Sequence, residues 1–173
     1  MEVKGAAFLY TLATLCISFA GFAALLLMLR QTAGGGLSPL DRFITRSLVG
    51  QLFMIAAGAV IPPALALYKL PEGWVWKASA LLFGLPMLTL LLTYQRRRIA
   101  ATGKPAPFPI RAVFFGVGPV SLVGMISYIF ANFEHQAAAY ASAVTVNFLI
   151  HGFAFVIALE VILRQEPKAS KAR

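Results

Sequence analysis

The sequence predicts an all-α polytopic transmembrane helical bundle of five spans, with its N-terminus outside and its C-terminus in the cytoplasm. Three observations predict it: an apolar content too high for a water-soluble globule, five apolar runs of bilayer length, and a lopsided distribution of Lys and Arg around them. Of 173 residues, 60% are apolar and 12% charged, and the mean hydropathy is +0.80. A chain this short cannot hide so much hydrocarbon inside itself, so a bilayer must supply the cover.

The first run, 6–29, is long enough to cross a hydrocarbon core of about 30 Å at about 1.5 Å per residue. It reads as a retained anchor, because the segment before it, Met1-Glu2-Val3-Lys4, is nearly neutral and the first Arg, Arg30, follows the run. Thr11, Thr14 and Ser18 within it can bond back to their own helix. Gly34, Gly35 and Gly36 make a turn. Ser38, Pro39 and Asp41 then carry helix-start chemistry: a capping hydroxyl, a proline at the first helical position and a carboxylate in the first turn. The second helix begins there, with its apolar part over 47–68. The third span, 75–94, opens on Trp74 and Trp76, aromatics of the kind that settle at a membrane interface, and closes at Arg96, Arg97 and Arg98. Residues 99–109, with Lys104, Pro105, Pro107 and Pro109, are too polar and broken to span. The fourth and fifth spans cover 110–130 and 136–163. Residues 1–163 thus form a single transmembrane domain, and 164–173 a short basic cytoplasmic tail.

Orientation follows from counting charges. With the N-terminus outside, the inner side holds Arg30, Arg42, Arg46, Arg96, Arg97, Arg98, Lys104, Arg111, Arg164, Lys168, Lys171 and Arg173, and the outer side Lys4, Lys69 and Lys77. Twelve of the fifteen basic residues therefore fall inside, as the positive-inside rule requires for loops this short. The pattern points to a bacterial-type inner membrane whose anionic lipids meet Arg96, Arg97 and Arg98 on the cytoplasmic side. The net charge of +9 is thereby absorbed by topology, and no nucleic-acid partner is expected.

Chemistry inside a bilayer is read from the few groups that hydrocarbon penalises. Asn147 and His151 are four residues apart, so they share a helix face near mid-membrane. They form the candidate intramembrane polar site, either as an imidazole oriented by the amide or as packing glue between helices. Glu160 and Arg164, again four apart and near the inner end, read as an interfacial ion pair. Pro62, Pro63, Pro86 and Pro119 are expected to distort their helices, each freeing the carbonyl four residues earlier: Gly58, Ala59, Leu82 and Phe115. Small residues at Ala20 and Ala24, at Gly50 and Gly58, and at Ser121, Gly124 and Ser127 are spaced for close helix contact.

No catalytic residue, metal site or cofactor is expected. Cys16 is the single cysteine, so a disulfide within the chain and a thiolate metal cage are excluded. His135 and His151 lie about 24 Å apart along one chain path, which does not suit a bis-histidine haem. Protease, phosphate-loop and triad patterns are missing. The expected role is that of a non-enzymatic accessory or assembly subunit of an inner-membrane complex, contacting other membrane subunits or copies of itself. The alternative is a small oligomeric channel or carrier working through Asn147 and His151.

Overall fold

The computed structural model describes residues 4–32 and 38–164, with side chains throughout except at residue 30 and residues 158–164. The described residues form five helices, each long and apolar enough to span a membrane, and no strand. These are α1 (Ala6–Thr32), α2 (Pro39–Ala66), α3 (Glu72–Thr102), α4 (Phe108–Phe130) and α5 (Gln136–Arg164). The glycine turn at 34–36, the basic tail from 165 and the Glu160–Arg164 pair lie outside the described residues or side chains.

Helix α2 starts where its capping chemistry requires. Asp41 N–H donates to Ser38 Oγ at 3.1 Å, and Ser38 N–H donates to Asp41 Oδ2 at 3.1 Å, a reciprocal capping box with Pro39 in the first turn. Helix α3 runs two turns beyond Tyr94, because Gln95 to Arg98 and the alanines after them are good helix formers once a span has nucleated the helix. It ends at Gly103, whose φ of 69° and N–H to Ile99 O at 2.8 Å close the last turn. The connector that sequence alone places over 99–109 is therefore only 103–107.

The helices continue through their prolines in different ways. α2 passes Pro62 and Pro63, and α3 passes Pro86, without a break in the helix. α4 instead carries a single π turn, Val113–Val117, closed by Gly118 N–H bonding to Val113 O just before Pro119. An extra residue in the turn is a common way for a helix to absorb a local mismatch.

Short connections at 67–71, 103–107 and 131–135 make consecutive helices antiparallel neighbours. α1 packs on α2, α2 on α3, α3 on α4 and α4 on α5, while α5 also touches α1, α2 and α3. One core joins all five helices, with Cys16, Ile55, Phe83, Leu122 and Val144 among its buried residues. Among the described residues, close approach is set by glycine at three places, one of them Gly118, where a Cβ would sit 2.7 Å from Leu91 Cδ1. A Cβ on Gly58 would overlap the ring of Phe83, and one on Gly84 would sit 2.9 Å from Ile126 Cδ1. Gly50 and Gly124, assigned to contact stripes by spacing, meet nothing within 4 Å. Trp74 is 64% exposed, but Trp76 is 2% exposed and packs against Tyr140 with ring centroids 5.7 Å apart. The second tryptophan is thus a core residue rather than an interfacial one, because two positions along a helix turn a side chain by about 200°.

Candidate functional site

The polar interior has two levels. The first is centred on α5, the helix that touches all four others, and holds Asn147 and His151, both fully buried. Asn147 Nδ2 donates to Ala143 O at 2.8 Å and, across the helix interface, to Ser121 Oγ on α4 at 3.2 Å. Since a carbonyl only accepts, the bond to Ala143 fixes which end of the amide is the nitrogen. Ser121 Oγ in turn donates to Gly118 O at 2.8 Å. On the α4 side Asn147 thus makes one polar bond between helices, of the kind a packing role would use.

His151 Nδ1 lies 2.6 Å from Asn147 O. That carbonyl can only accept, so Nδ1 carries the proton, and in the neutral ring Nε2 is an acceptor. The two residues are coupled through the backbone carbonyl of Asn147, whereas the sequence reading has the side-chain amide orient the ring. A helical side chain leans toward the helix N-terminus, and at i+4 it meets the carbonyl of residue i before any side-chain atom. Neither His151 Nε2 nor Asn147 Oδ1 has a hydrogen-bond partner among the described residues.

Aromatic rings link this level to a second one. The His151 imidazole packs edge-on against Phe114 at 5.4 Å, and Phe114 stacks on Tyr94 at 4.7 Å. Arg98 Nη1 reaches Tyr94 Oη at 3.5 Å, the outer limit of a hydrogen bond. Around Arg98 lies a cavity of about 80 Å³, lined by Ser47 and Gln51 of α2, Tyr94 and Arg98 of α3, and Phe114 of α4, with an α5 wall at Ala154. Gln51 is 2% exposed and its Nε2 has no described partner; Arg98 is 7% exposed and its Nε has none either. Ser47 and Gln51 also face a larger groove, about 580 Å³, between α2 and α3, which Arg46, Gly50, Leu90 and Arg97 complete.

The three consecutive arginines therefore separate. At about 100° per residue a helix must fan them out. Arg96 is exposed, Arg97 is half-buried and folds back to donate Nη2 to Leu90 O at 2.7 Å, and Arg98 turns inward. Only Arg96 has the open exposure of a headgroup contact.

The proline positions add one buried bond. Pro62 removes the N–H that would bond Gly58 O in an α-helix, and Pro63 removes the one that would bond it in a π turn. Tyr140 Oη of α5 donates to Gly58 O instead, at 2.7 Å. No glycine side chain stands in the way, and the Tyr140 ring is held by Trp76 and Phe83.

Gln51, Tyr140 and Gly84 are not singled out by the sequence reading. Gln51 carries a visible signal, an amide inside an otherwise apolar run, and Tyr140 becomes a candidate once an acceptor for Gly58 O is sought. Gly84 carries none, since its role depends on which face of α3 meets α4. Chemically, the inner levels are of opposite character: bare acceptors at His151 and Asn147, bare donors at Arg98 and Gln51. Among the described residues, no three His, Cys, Asp or Glu side chains converge as a metal ion would require. Comparison with protein-family models, with curated proteins and with solved structures finds no match.

Proposed function

We propose that the chain is a non-enzymatic, five-span protein of a bacterial-type inner membrane, N-terminus outside and C-terminus cytoplasmic, that serves as an accessory or assembly subunit of a larger membrane complex. Its partners are other membrane subunits or further copies of itself, together with anionic lipid on the cytoplasmic side. The distribution of twelve basic residues to one side and three to the other supports the orientation.

The observation that carries the assembly reading is the closure of the Asn147–His151 level of the interior. Asn147 and His151 are fully buried and line neither of the cavities near Arg98, so no route through the bundle passes them there. The outward faces, by contrast, expose large apolar side chains on every helix, including Phe22, Phe53, Leu85, Val120 and Phe153. On α4 the outward Gly124 has nothing within 4 Å of an added Cβ, leaving room for another backbone to approach. With connections of a few residues, lateral helix contact is the main surface available.

Native mass spectrometry of the protein gently extracted from its own membrane tests this reading. A stoichiometric complex with other polypeptides is expected, and an isolated monomer under conditions that preserve other complexes would refute it. The carrier reading keeps one specific support, the unpartnered His151 Nε2 and Asn147 Oδ1. It predicts that His151→Ala abolishes flux into liposomes; the assembly reading predicts no flux to abolish.

A further inference from the structure

We propose that the cavity around Arg98 binds a compact oxyanion, a phosphate-type group, with Arg98 as its main ligand and Gln51 as a second donor. This goes beyond the assembly reading and does not depend on it.

A guanidinium cannot lose its proton, so Arg98 stays charged wherever it is placed. Burying such a charge costs several kcal/mol unless an opposite charge and hydrogen bonds compensate. Arg98 is 93% buried by its 7% exposure, its single described hydrogen bond is the long one to Tyr94, and its Nε has no partner. Among the described residues, no Asp or Glu lines its cavity. Among the described residues no lining side chain supplies the compensating charge, which an entering anion would bring.

A second, independent side chain points to the same occupant. Gln51, from a different helix, lines the same cavity, and its amide Nε2 has no described partner. A planar fork with a flanking amide is suited to an oxyanion, which can take two or more parallel hydrogen bonds. The cavity, about 80 Å³, is several times the ~10–15 Å³ that one water needs. Leu40, Ile44, Ile110 and Ile157 are among its apolar walls, so the group can carry hydrocarbon. The neighbouring groove, which shares Ser47 and Gln51 as its wall, brings Arg46 and Arg97 and makes the approach electropositive. The same oxyanion could reach the cavity as the headgroup of an anionic lipid or as a free anion from solution.

The test uses the full chain, delipidated in a neutral detergent, with Tm and native mass spectra read against phosphatidylglycerol, phosphatidylcholine and inorganic phosphate. Wild type is expected to rise in Tm with phosphatidylglycerol and not with phosphatidylcholine. A rise with inorganic phosphate as well assigns the site to a free anion, and a rise with phosphatidylglycerol alone assigns it to a headgroup. Arg98→Met should weaken this binding by about tenfold or more, whereas Arg96→Gln, on the exposed arginine, should change it less than about twofold. Without added anion, Arg98→Met should melt no lower than wild type, because it removes an uncompensated charge. Gln51→Leu should weaken binding by several fold while keeping the charge, and it decides the matter if Arg98→Met fails to fold. Equal response to phosphatidylglycerol and phosphatidylcholine with none to phosphate, or retention of the full response in Arg98→Met or in Gln51→Leu, would overturn the proposal.

Discussion

Tyr140→Phe removes one oxygen from the bundle and leaves almost everything else in place. The ring remains fully buried between Trp76 and Phe83, so neither packing volume nor aromatic contact changes. What is lost is the 2.7 Å hydrogen bond to Gly58 O, a carbonyl that Pro62 and Pro63 deprive of both its α and its π partner. A buried acceptor stranded in this way costs about 1–3 kcal/mol in soluble proteins, while polar bonds between membrane helices average about 0.6 and reach about 1.7 kcal/mol. Because Pro62 and Pro63 remove the α and π donors to this acceptor, the upper part of the membrane range applies, and we expect about 1–1.7 kcal/mol. The assay is reversible unfolding in mixed micelles, run on Tyr140→Phe, Pro62→Ala and the double variant. Restoring residue 62 N–H gives Gly58 O a helical partner, so in the Pro62→Ala background the cost of Tyr140→Phe should fall below about 0.5 kcal/mol. An equal cost in both backgrounds would refute the claim that Tyr140 serves the proline-freed carbonyl.

Two further outcomes follow from the interior. Gly84→Val should destabilise by about 1–3 kcal/mol in the same assay, since even its Cβ would press on Ile126 and Met125, whereas Gly124→Ala should be within about 0.5 kcal/mol of wild type because its Cβ meets nothing. Ser121→Ala leaves Asn147 Nδ2 its bond to Ala143 O but removes the cross-helix acceptor, and should cost about 0.5–1 kcal/mol, with Thr at the same position recovering part of it.

The number of helices was legible because each apolar run is continuous and of bilayer length, and the start of α2 because capping chemistry is local. The end of α3 was not, since charge at Arg96 to Arg98 marks where an apolar run stops rather than where a helix stops. The facing of each helix was least legible. These helices are apolar on all sides, so periodicity does not distinguish the surface that meets lipid from the one that meets a neighbour. That is why Trp76 reads as interfacial and lies in the core, why Gly84 passes unnoticed, and why three adjacent arginines share one expected role and take three positions. Polar residues in apolar runs fared better: Asn147 and His151 stand out by type alone. Their bonds do not, because whether an imidazole meets an amide or a carbonyl depends on side-chain direction. Gln51 and Arg98 line one cavity only through the packing of α2 against α3, which no local pattern encodes.

The proposed topology has the chain crossing a membrane five times with the basic loops inside. Cys16, the single cysteine, is buried in the core, so cysteines introduced elsewhere are labelled against a low background. Glu72→Cys, at the start of α3, and Lys104→Cys, in the connector before α4, lie at opposite ends of α3, and both positions are exposed. An impermeant maleimide added to intact cells should label Glu72→Cys and spare Lys104→Cys, and inverted vesicles should show the reverse. Labelling of Lys104→Cys from outside, or of both from one side, would contradict the topology from which the rest is argued.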